Sequence, residues 1–138
     1  MIRYKMIPED IHKKIAFLAG ILSKDPNIIF SYLFGGLLKD NPNPLSDVDV
    51  AVYVKNVKKM DYLQLFGDIA NVLGTDEIDM VILNTAQLSL AGRILQARKV
   101  LVDKDPFLRH KYESTVLREF FDFKIKERDI LKRRYGIG

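Results

Sequence analysis

The stretch from residue 34 to residue 54, FGGLLKDNPNPLSDVDVAVYV, decides the fold. Two glycines, Gly35 and Gly36, close an apolar run, and residues 39–46 are so rich in turn formers that they cannot be a regular element. Asp47 and Asp49 then alternate with valines in what otherwise reads as a buried strand. Residues two apart in a strand share a face, so Asp47 and Asp49 project together while Val48, Val50 and Val52 turn the other way, into the core. Two carboxylates on one face repel each other, and the arrangement loses stability unless a cation or a shared proton relieves it. Such a pair suits a hard divalent cation, and magnesium is commonly held by one or two carboxylates together with substrate phosphates.

Working outward, strands and helices alternate. Pro8, Glu9 and Asp10 mark a helix start, Ile11, Ile15, Leu18 and Leu22 follow at helical spacing, and Asp25-Pro26-Asn27 ends the run. Residues 28–34 are a β-branched and aromatic strand, and the strand at 47–54 follows it. An amphipathic helix is predicted over 60–73, ended by Gly74, then a strand over 77–83, a short helix over 86–97, and a strand over 99–102. From Pro106 almost to Gly136 the chain is predicted to be helical, with no internal glycine or proline. Strands interleaved with helices imply an α/β (α+β) fold, with helices packed on a sheet and a long C-terminal helix. The first two strands are joined by only about a dozen residues, near the lower limit for a parallel crossover, so a mixed sheet is expected.

The third strand supplies a further acid. Asp79 interrupts its apolar run between Ile78 and Met80, as Asp49 interrupts Val48 and Val50. Should the two strands be neighbours, three carboxylates converge, enough for one or two metal ions. Gly35 and Gly36 stand where a strand ends, and residues without side chains let a phosphate approach backbone N–H groups closely. A metal cradle beside a phosphate cradle points to nucleotide chemistry. Taken singly, the glycines, Lys39 and Ser46 also fit an ordinary tight strand exit, a solvated loop lysine and a loop-capping residue.

Composition sets the frame. The 138 residues, 48% hydrophobic, suit one domain, divided here into a core of residues 1–104 and a helix of residues 105–138. Without cysteine there is no disulfide, thiolate zinc site or cysteine nucleophile. Residues 28–38, the longest nearly apolar run, fall short of the roughly 20 residues that a membrane span requires. The N-terminus lacks the apolar core of a signal peptide, and a cytoplasmic protein is expected. Residues 1–103 balance 12 basic against 12 acidic side chains, so the net charge of +4 comes from the tail, with 10 basic and 6 acidic. There the charges alternate in sign, as on a solvated helix face, which argues against a nucleic-acid footprint. The tail aromatics Phe120, Phe121 and Phe123 span more than one helix face. Some exposed apolar surface is therefore expected, for a homodimer or hetero-oligomer contact through the C-terminal helix.

Gly-Gly, ten residues and then Asp-x-Asp resembles the Gly-Ser, ten residues, Asp-x-Asp signature of the minimal nucleotidyltransferases, within the polymerase-β-like nucleotidyltransferase superfamily. The run SDVDVAV is similar to that family's Ser-Asp-x-Asp-hydrophobic segment, and LRHKYESTVLREFFDFKIKERD resembles the closing helix of its antitoxin members, which pair with HEPN-domain toxins. The resemblance implies a nucleotidyltransferase fold in which Gly35 and Gly36 contact a triphosphate, with Lys39 and Ser46 beside them. It implies that Asp47 and Asp49 bind Mg2+ and that Asp79 is the third acid, binding metal or activating the attacking hydroxyl. Gly36 stands where the family usually has serine, so one hydroxyl contact to phosphate is missing while backbone donors remain. Lys39-Asp40 stands where many members have Arg-Gly. The implied activity is transfer of AMP from ATP to a tyrosine of a partner HEPN toxin. The alternatives are a nucleotidyltransferase acting on a small molecule such as an aminoglycoside, and an antitoxin that binds its toxin without catalysis.

Overall fold

The computed structural model describes residues 8–35, 48–75 and 77–136. Helix α1 (Pro8–Lys24) leads into β1 (Ile28–Phe34), and β2 (Val48–Val54) follows. After them come α2 (Tyr62–Leu73), β3 (Ile78–Ile82), α3 (Leu88–Gln96), β4 (Lys99–Asp103) and α4 (Pro106–Tyr135). The strands form one sheet in the order β3-β2-β1-β4. β1 is antiparallel to both β2 and β4, whereas β2 and β3 run parallel. The sheet is therefore mixed, as expected from the short connection between the first two strands.

Element ends differ from the sequence-based boundaries by one or two residues, for local reasons. α2 starts at Tyr62 because the Asp61 carboxylate accepts the Gln64 N–H at 3.0 Å, while Met60 closes the short 3-10 turn before it. β3 stops at Ile82, and Leu83–Thr85 form another 3-10 turn. α4 begins as expected, with Asp105 accepting the Leu108 N–H at 3.1 Å and Pro106 in the first turn, where its missing donor costs nothing.

Both faces of the sheet are covered. Val48, Val50, Val52 and Val54 of β2 pack with Leu18 and Leu22 of α1 and Leu65, Ile69 and Leu73 of α2. The opposite face carries Phe30, Tyr32 and Ala51, packed against Ala91, Ile94 and Leu95 of α3 and Val116 of α4. Gly92 of α3 makes room for the Phe120 ring, since a Cβ there would lie 2.2 Å from it. α4 is about 45 Å long at 1.5 Å per residue, but only Glu113, Val116 and Phe120 along it are buried. From Phe121 to Gly136 every residue is exposed. Among the described residues, no helix is long and apolar enough to cross a membrane.

Candidate active site

The acids lie at the starts of two neighbouring strands, β2 and β3. Asp49 pairs with Phe34 of β1 on one side and with Asp79 of β3 on the other. The next row inward is Tyr32, Ala51 and Val81, all members of the core layer facing α3 and α4. Asp49 and Asp79 therefore end a column of side chains that is otherwise hydrophobic, at the rim where Asp79 is exposed and Asp49 half-buried. In-register neighbours on adjacent strands stand about 5 Å apart. Two full charges at that distance repel by ~1 kcal/mol in water-like surroundings and by more where water is excluded. The condition set by the sequence, that the second and third strands be neighbours, is met.

Gly35 follows β1 directly, with φ +78°, and its backbone is pressed against Asp49. A Cβ at Gly35 would lie 2.0 Å from Asp49 Oδ2 and 2.9 Å from its Cγ. Glycine is thus required twice here, by the left-handed backbone and by the carboxylate that fills the space where a side chain would stand. Gly36, Lys39, Ser46 and Asp47 lie outside the described residues.

Several residues that carry no marked sequence pattern hold these strands in register. The Val48 N–H donates to Glu77 O at 3.0 Å, starting the β2–β3 pair. At its far end Asn84 forms a double hydrogen bond with Val54, accepting its N–H at 2.9 Å and donating to its carbonyl at 2.8 Å. The Tyr62 hydroxyl donates to Met80 O at 3.2 Å, tying α2 to the strand that carries Asp79. No sequence periodicity marks Asn84; only its place just after a strand hints at a cap.

A second polar cluster fixes α4 on the same face. Buried Glu113 accepts the Tyr32 hydroxyl at 2.6 Å, Arg98 Nε at 3.0 Å and Arg109 Nη1 at 3.0 Å. Arg109 also donates to Asp103 at 2.8 Å. Burial pushes the Glu113 carboxyl up, but the hydrogen bonds from Tyr32, Arg98 and Arg109 outweigh it and hold the group below its ordinary value. Burial and the Glu113 charge together raise the Tyr32 phenol far above its usual range. Tyr32 is one row from the acids, so α4 is bolted to the frame that positions them.

Among the described residues no group of three or more His, Cys, Asp and Glu side chains could hold a metal. Asp49 and Asp79 nevertheless form an all-oxygen pair on adjacent strands, the donor chemistry that suits a hard cation such as Mg2+.

Residues 17–107 match the family model described as polymerase beta, nucleotidyltransferase. The chain belongs to that nucleotidyltransferase family. No curated protein matches this nucleotidyltransferase, but solved structures share its fold. One is a chain from the complex of a tri-AMPylated Shewanella oneidensis HEPN toxin with MNT antitoxin, 19% identical, TM-score 0.67, with 89% of this chain and 97% of that one covered. Another comes from a toxin-antitoxin structure with AMP-PNP, 21% identical, TM-score 0.67, covering 88% and 95%. A third is from the MntA-HepT toxin-antitoxin, 19% identical, TM-score 0.66, covering 88% and 97%. At these identities the likeness establishes the fold: a mixed sheet flanked by helices with a long closing helix.

Proposed function

We propose that this nucleotidyltransferase is an antitoxin that transfers AMP from ATP to a tyrosine of a partner HEPN toxin, in the cytoplasm. The observation that carries the reading is the Gly35–Asp49–Asp79 row, in which a left-handed glycine, a half-buried carboxylate and an exposed one meet at one end of three adjacent strands. Its support is the family of the chain and the toxin-antitoxin complexes, one with AMPylated toxin and one with AMP-PNP, whose chains share its fold.

In this reading residues 1–104 are the catalytic core of one nucleotidyltransferase domain and residues 105–138 its closing helix. Asp47, Asp49 and Asp79 hold Mg2+, which when bound neutralises charge on the triphosphate and polarises the α-phosphate. Backbone N–H groups of Gly35 and Gly36, with Lys39 and Ser46, hold the β- and γ-phosphates. The exposed Asp79 takes the proton of the acceptor tyrosine as its phenol oxygen bonds to the α-phosphorus. The bond from that phosphorus to the bridging oxygen breaks, and pyrophosphate leaves opposite the attacking oxygen.

Intact mass measurement of the cognate HEPN toxin after incubation with the protein, ATP and Mg2+ tests this. One or more AMP additions are expected, lost in Asp79→Asn while the two proteins still form a complex. A toxin whose mass never changes, with wild-type protein in stable complex and ATP and Mg2+ in excess, refutes the transfer and leaves an antitoxin that works by contact.

A further inference from the structure

Beyond Phe120, α4 leaves the body of the protein. Its last 15 residues carry Phe121 (50% exposed), whose ring stands edge-on to that of Phe120, together with Ile130 (53%) and Tyr135 (64%). An isolated helix of about that length is marginal in water even with ideal composition, so the segment calls for a partner surface. Where it passes the end of α3 there is a groove of about 640 Å3, walled by Phe120, Phe121 and Leu131 and rimmed by charges. Arg93, Lys124 and Arg128 supply three cations there against the single anion of Glu127. Phe120, Lys124, Arg128, Leu131 and Tyr135 recur at spacings of four, four, three and four, so apolar and basic side chains share one stripe.

We propose that this groove docks an acidic helix of the HEPN toxin, with two or three apolar side chains on one face flanked by Asp or Glu. The inference rests on the partner reading above for the identity of its occupant, and adds where that partner sits and what chemistry it presents. Charge decides against a second copy of this chain. Residues 121–135 hold six basic and three acidic side chains. Antiparallel self-pairing about the segment's middle sets Lys124 against Lys132 and Arg128 against itself, and parallel pairing sets every charge against its own kind. An acidic partner relieves the excess positive charge while covering the aromatics.

The test is titration calorimetry and light scattering of the full chain with its cognate HEPN toxin, using Phe121→Glu, Leu131→Glu and the double charge reversal Lys124→Glu, Arg128→Glu. Each is expected to weaken the complex by at least about tenfold. Phe17→Glu, at an even more exposed aromatic on α1, leaves it intact, and thermal melts report whether each variant is folded. Added salt weakens the wild-type complex and the charge-reversed one less so. Toxin that binds all folded groove variants as tightly as wild type overturns the docking site while the partner reading stands. Toxin that does not bind wild type at all overturns the partner reading and the occupant with it. Wild-type protein that is dimeric alone and becomes monomeric on Phe121→Glu assigns the groove to a second copy, against the proposal.

Discussion

Replacing Gly35 with alanine separates what the left-handed backbone costs from what the carboxylate needs. The new Cβ would stand 2.0 Å from Asp49 Oδ2, and ordinary contact begins near 3.4 Å, so the oxygen must retreat by at least 1.4 Å or the strand end must move. A misplacement of about 1 Å in a catalytic group can cost on the order of 100-fold in rate, so AMP transfer should fall by at least that much. The backbone contributes separately: an alanine at φ +78° costs ~1–2 kcal/mol, a fall in Tm of roughly 3–8 °C for a chain of this size. Gly74→Ala is the matched control. Gly74 has φ +69° and nothing within 4 Å of its Cβ position, so it carries the same backbone penalty with no carboxylate to displace. The assay is the initial rate of AMP addition to the HEPN toxin, read by intact mass at a temperature where both variants are folded, beside calorimetric binding of ATP with Mg2+. Expected are a Tm loss in Gly35→Ala at least as large as that in Gly74→Ala, since the clash adds to the shared backbone penalty, and lost activity in Gly35→Ala alone. Gly35→Ala with wild-type rate and nucleotide binding, or Gly74→Ala equally inactive, would refute the idea that the Gly35 contact sets the position of Asp49.

Other perturbations probe the same frame. Asp79→Asn should abolish transfer yet leave the protein as stable as wild type or up to ~1 kcal/mol more so, because the repulsion with Asp49 is relieved; a clear drop in Tm would show that Asp79 serves the fold instead. Glu113→Gln leaves Arg98 and Arg109 without their shared anion and should cost roughly 2–3 kcal/mol in urea denaturation. Because the folded Glu113 carboxyl lies below its ordinary 4.5, the stability it contributes is fully present above that pH and is lost as pH falls through the lower folded value. The wild type should therefore weaken more steeply below about pH 4.5 than Glu113→Gln, and parallel pH profiles would contradict that. Gly92→Ala forces a methyl against the buried Phe120 ring, 2.2 Å away, and should cost about 1–3 kcal/mol; a neutral result would mean that α3 and α4 can slide apart freely.

Local punctuation makes the elements legible in the sequence. Asp25-Pro26-Asn27, Gly74, Pro106 and Gly136 each carry their own physical reason for a start or a stop, and the helices and strands begin and end within two residues of them. Strand order was not legible, because it depends on which apolar faces meet. Nothing in residues 99–103 says that β4 pairs beside β1 at the edge away from the acids. Asp49 and Asp79 could be read as partners only on the condition that their strands were neighbours, a condition that the parallel β2–β3 register satisfies. Glu113 was invisible for another reason. A glutamate four residues after Arg109 reads as an ordinary solvated pair, and its burial depends on Tyr32 and Arg98, 81 and 15 residues away.

That hidden cluster is what links the two ends of the proposed activity. Tyr32 donates to Glu113 of α4 and lies on β1 two residues before Phe34, which pairs with Asp49. The helix that would carry a docked partner and the strand row that carries the acids therefore share one rigid support rather than a flexible loop. For group transfer between two proteins this matters more than affinity, since the acceptor oxygen must arrive within about 3–3.5 Å of the reacting phosphorus. A partner held at the far end of α4 can meet that tolerance only if α4 cannot pivot on the sheet. Glu113→Gln should on this argument reduce the rate of AMP transfer more than it weakens the complex. Equal losses in both would mean that α4 binds the partner without orienting it.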